Sequence, residues 1–114
     1  MITLEYDALN GMALPEGMVK PFVTEFIRLN KTKDIKLIFG QELILQEFRL
    51  ALLTNTLSID AFRLMFDGHE IKLTYDYKIA ADYKKWPKGF CDYSQNCNID
   101  IINATVMLYQ NVVD

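Results

Sequence analysis

The sequence predicts a single α+β domain with the element order β-α-β-α-β-β-α. Three observations carry that prediction. Segments of alternating apolar and polar residues alternate with segments of helical apolar spacing. An Asp67-Gly68 dipeptide sits between two alternating runs, as in a tight hairpin. The apolar share is 51% over 114 residues, enough to build one core without a disulfide framework or a structural metal.

In chain order, Ile2, Leu4 and Tyr6 alternate with Thr3 and Glu5, the period of a half-buried strand. Asp7 to Gly17 holds two glycines and a proline and reads as a loop. Met18-Val19, Phe22-Val23 and Phe26-Ile27 then recur at helical spacing. Pro21 belongs in a first helical turn, which puts the start of this helix near Met18, and Asn30 serves as a left-handed stop. Ile35, Leu37 and Phe39 form a short strand that ends at Gly40.

Gln41 to Thr54 is rich in good helix formers, with Glu42, Gln46 and Arg49 on one face and Ile44, Phe48, Ala51 and Leu52 on another. A hairpin through Gly40-Gln41 is the rival arrangement; propensity favours the helix. At Asp67-Gly68 a type I′ turn pairs Phe66 with His69, Leu64 with Ile71 and Phe62 with Leu73 on one face. Arg63, Met65, Glu70, Lys72 and Thr74 fall on the other, and a one-residue slip would destroy the agreement. A final helix is expected from Ile99, capped by Asn98, with a stripe of Ile99, Ile102, Val106, Tyr109 and Val113.

That string of elements resembles the minimal thioredoxin-like layout, a β-α-β unit followed by a helix and a β-hairpin–helix unit. The resemblance covers most of the chain as an order of elements. The redox motif of that family is missing: Pro15-Glu16-Gly17-Met18, near the start of the first helix, offers no thiol. The resemblance therefore implies a fold and no redox activity.

Charge and motifs narrow the function classes. A net charge of -3 argues against non-specific nucleic-acid binding, which draws its affinity from neutralised phosphates. The charge-poor run from Ile101 to Val113 is too short to span a bilayer, and the first residues lack a signal-peptide pattern; a cytoplasmic address is expected. Cys91 and Cys97 have neither redox nor zinc spacing and read as ordinary thiols. No phosphate-binding loop, dinucleotide fingerprint or metal motif occurs, so no cofactor is expected. His69 is the only histidine, and its place beside the turn suits a half-covered flanking residue better than a catalytic base.

Two regions stand out as contact surfaces. Tyr83, Lys84, Lys85, Trp86, Lys88 and Phe90 interleave cations with aromatic rings, a composition that suits a protein interface and, as the alternative, a nucleic acid or nucleotide. The plain structural alternative is that Trp86 and Phe90 pin a long loop to the core. On the final helix, Asn103, Met107, Gln110 and Asn111 form an uncharged polar face that suits burial inside the domain, against a second copy of the chain, or against another protein. The expectation is a non-enzymatic protein-binding module, of inhibitor, immunity, antitoxin or accessory-factor type, acting by stoichiometric association.

Overall fold

The computed structural model describes residues 1–73 together with Ile79, Trp86, Pro87 and Phe90. The elements run in the expected order through the hairpin: β1 (Ile2–Tyr6), α1 (Glu16–Asn30), β2 (Ile35–Phe39), α2 (Glu42–Leu53), β3 (Phe62–Phe66) and β4 (His69–Glu70). A short 3-10 turn, Ile59–Ala61, leads into β3, and the Ser58 hydroxyl accepts the Asp60 N–H at its start. The final helix expected from Ile99 lies outside the described residues.

The strands form one mixed sheet in the order β2-β1-β3-β4, with β1 parallel to both β2 and β3 and β4 antiparallel to β3. Because side chains alternate along each strand, the register lines them up in rows across the sheet. Ile35–Ile2–Phe62, Leu37–Leu4–Leu64 and Phe39–Tyr6–Phe66 make three apolar rows on one face. Both helices cover that face: Val19, Val23 and Ile27 of α1 and Ile44, Phe48 and Leu52 of α2 join the row residues in one core cluster. The sheet is central, parallel at its middle and apolar on the helix side.

The local chemistry explains the boundaries and corrects two of the expected details. Helix α1 begins at Glu16, a turn ahead of Pro21, which therefore lies inside the helix. The carbonyl that Pro21 leaves without a donor belongs to Gly17, which is exposed and has access to water. Asn30 is helical and its amide donates to Phe26 O at 2.8 Å, while Lys31 keeps a right-handed conformation. The left-handed stop is made instead after α2, by Asn55 at φ 61. On the polar face of α2, Gln46 and Arg49 are buried, and Glu42, Gln46, Glu47 and Arg49 all have interaction partners.

The Asp67-Gly68 turn has φ 51 and 78, the two positive values a type I′ turn requires. Phe66 pairs with His69 and Met65 with Glu70, and Ile71 N–H donates to Leu64 O at 2.8 Å. The expected register is the observed one.

The loop between β1 and α1 is held tightly against the outer edge of β2. Met12 N–H donates to Ile38 O at 2.9 Å and Gly40 N–H to Met12 O at 3.0 Å, so the loop caps the end of the edge strand. Gly11 permits this approach, since a Cβ there would sit 2.2 Å from the Phe39 carbonyl carbon. The Asp7 carboxylate accepts the N–H groups of Leu9 and Asn10, both at 3.0 Å, and closes the turn that starts the loop.

Candidate functional site

Two surfaces can be built from the described residues. The first lies at the carboxyl ends of the three parallel strands, where Tyr6, Phe39 and Phe66 are the last residues of β1, β2 and β3. The Tyr6 ring centre lies 5.5 Å from Phe39, 5.7 Å from Phe66, 5.5 Å from Trp86 and 4.6 Å from Phe90. Trp86 is only 4% exposed, and its indole N–H donates to Phe90 O at 3.0 Å. The rings of Trp86 and Phe90 therefore pack on the chain's own sheet. As placed, they act as anchors of that segment, as aromatic side chains with a satisfied polar tip commonly do. The remaining members of the expected contact surfaces, Tyr83, Lys84, Lys85 and Lys88 with Asn103, Met107, Gln110 and Asn111, lie outside the described residues, as do Cys91 and Cys97.

The second surface is the sheet face opposite the helices. Here the register sets Lys36–Thr3–Arg63 in one row and Ile38–Glu5–Met65–Glu70 in the next. Lys36, Ile38 and Arg63 are exposed, Ile38 to 42%, although they sit on the strands of the core sheet. An open groove of about 650 Å³ follows the first row and is lined by Thr3, Asp34, Ile35, Lys36, Arg63 and Met65. Lys36 Nζ pairs with Glu5 at 2.8 Å. Arg63 Nε lies 3.8 Å from Glu70 Oε1, and Lys72 Nζ takes Glu70 Oε2 at 3.3 Å. Sequence reasoning sorted Arg63, Met65, Glu70 and Lys72 onto one face; its joining with Lys36 and Thr3 follows from the placement of β1 between β2 and β3.

His69 is exposed beside the turn, opposite Phe66. Among the described residues no group of three His, Cys, Asp or Glu side chains stands close enough to hold a metal ion. Among them, too, no helix is long and apolar enough to cross a membrane.

Comparison with known proteins gives no relative. No family model, no curated protein and no solved structure matches this chain. The functional reading rests on the two surfaces alone.

Proposed function

We propose that this chain is a protein-binding module that acts by stoichiometric association with another protein. The observation that carries the reading is the sheet face opposite the helices. It combines the rigidity of a four-stranded core sheet with exposed Lys36, Ile38 and Arg63 and a groove between them. A rigid surface loses little conformational entropy on docking, and a mixture of apolar and charged groups is the usual make-up of a non-obligate interface.

The β2 edge of the sheet favours face docking over strand addition. The outer edge of β2 is capped at one end by Met12 and carries Lys36 in its middle, two devices that discourage pairing with a foreign strand. Tyr83, Lys84, Lys85 and Lys88, on the segment that Trp86 and Phe90 anchor, are proposed as a second contact with the same partner. Their use for a nucleic acid or nucleotide is the alternative and rests on composition.

Native mass spectrometry of the tagged protein purified from its natural setting tests the reading. The expected result is a complex with one other protein at a fixed integer ratio. A chain that purifies alone, under gentle conditions and at several salt concentrations, would contradict it.

A further inference from the structure

The groove on the open sheet face has a chemistry that selects among partners. Its floor is the row Lys36–Thr3–Arg63, two cations flanking a hydroxyl. Adjacent strands lie about 4.8 Å apart, so the two cationic residues start roughly 10 Å from each other, on either side of Thr3. That geometry suits a single anion seated over the central strand.

Lys36 already pairs with Glu5 at 2.8 Å, so the cation with room for such a guest is Arg63. Glu70 serves both Arg63 and Lys72, and its contact with Arg63 is an ion pair of 3.8 Å, longer than a hydrogen bond. A guanidinium offers five donors in a planar fork that matches a carboxylate in bidentate geometry. An incoming carboxylate would complete the fork of Arg63 while Glu70 stays with Lys72.

The border of the groove decides which anion. Asp34 lines one end, where it pairs with the Met1 ammonium at 3.3 Å, and Glu5 and Glu70 stand in the neighbouring row. With each of these carboxylates paired to a cation, the groove lacks the excess of positive charge that a run of phosphates needs, yet Arg63 can take one acidic side chain. The same neighbouring row holds Ile38 and Met65, apolar contacts about 6.6 Å farther along the strands, which is two residues of an extended chain. From this we infer that the open face receives an extended segment of a partner protein carrying Asp or Glu two positions from an apolar residue, with Arg63 as the carboxylate receptor. The inference rests on the protein-binding reading and gives it a partner chemistry.

Selection of a random-peptide phage library on the intact protein tests it. Enriched peptides are expected to share an acidic residue two positions from an apolar one. As free peptides they should lose at least tenfold in affinity for Arg63→Glu, a smaller factor for Arg63→Gln, and progressively with added salt. Arg63 is exposed, and circular dichroism melting of both variants shows whether they remain folded. Enriched peptides without an acidic residue, or with unchanged affinity for folded Arg63→Glu, would overturn the inference and leave the protein-binding reading standing. Enrichment of no peptide also overturns it, and the native-mass measurement then judges the broader reading separately. A single-stranded oligonucleotide that binds at low salt and is lost in Arg63→Glu, with no peptide bound, would replace the inference by a nucleic-acid role.

Discussion

Gln41 and Leu14 exchange two hydrogen bonds across 27 positions of sequence: Leu14 N–H donates to Gln41 Oε1 at 3.0 Å, and Gln41 Nε2 donates to Leu14 O at 2.9 Å. The side-chain amide thus pairs with the backbone as a neighbouring strand would. It fastens the loop after β1 to the start of α2, and it explains why Gln41 makes no cap hydrogen bond to its own helix. Gln41→Leu leaves a part-buried donor and acceptor without partners. The expected loss is about 2 kcal/mol in urea unfolding, with Gln41→Glu losing a comparable amount, because its carboxylate still accepts the Leu14 N–H but sets a second oxygen against Leu14 O.

Gly11 is the tightest point of the same loop. An added Cβ would meet the Phe39 carbonyl carbon at 2.2 Å, Asp7 O at 2.4 Å and Gly40 N at 2.4 Å, all backbone atoms with little freedom to move. Gly11→Ala is expected to destabilise the domain by about 3 kcal/mol. Gly17→Ala is the control, because its Cβ would meet nothing within 4 Å, and it should be neutral or slightly stabilising through helix propensity. Thermal melting of the pair distinguishes the two sites.

At the hairpin, Gly68 holds φ 78 with open space around it, so the cost of a side chain there is conformational and not steric crowding by neighbours. Gly68→Val should cost roughly 1–2 kcal/mol, the penalty of a left-handed conformation made worse by β-branching, whereas Gly68→Asn should cost less. Equal melting temperatures for the three proteins would mean that the turn is not type I′.

Asp7 couples the loop to pH. The backbone N–H of Asn10, then that of Leu9, then the Asn10 amide hold its carboxyl below the ordinary 3.8. A depressed folded-state pKa means that the carboxylate stabilises the fold above 3.8 and that this contribution disappears as pH falls through the folded value. In a series of melting temperatures taken down through that range, Asp7→Asn should show a shallower acid loss than the parent. Parallel curves would remove Asp7 from the account.

Much of the fold was legible because local signals agreed with global ones. Ile2, Leu4 and Tyr6 alternate and do form the apolar side of β1; the register through Asp67-Gly68 follows from pattern and turn chemistry together. What stayed hidden depends on tertiary partners. Nothing local marks Gln41 as the clamp of Leu14, nor distinguishes Asn30, whose amide finds Phe26 O, from Asn55, which takes the left-handed conformation. Gln46 and Arg49 follow the helical period of a water-facing stripe, yet both are buried. The candidate site was half legible. Arg63, Met65, Glu70 and Lys72 could be grouped by alternation, but Lys36 and Thr3 join them only because β1 pairs with both β2 and β3.

The central claim is that the sheet face opposite the helices is where a partner docks. Site-specific photo-cross-linking in the natural setting tests it most directly, with the reactive side chain placed at Ile38 on that face or at Thr24, exposed on α1. The account expects one protein joined from position 38, lost when Arg63→Glu is added, and none from position 24. Cross-links from position 24 alone would contradict it, whereas cross-links from position 38 regardless of Arg63 would keep the docking face and overturn only the role of Arg63.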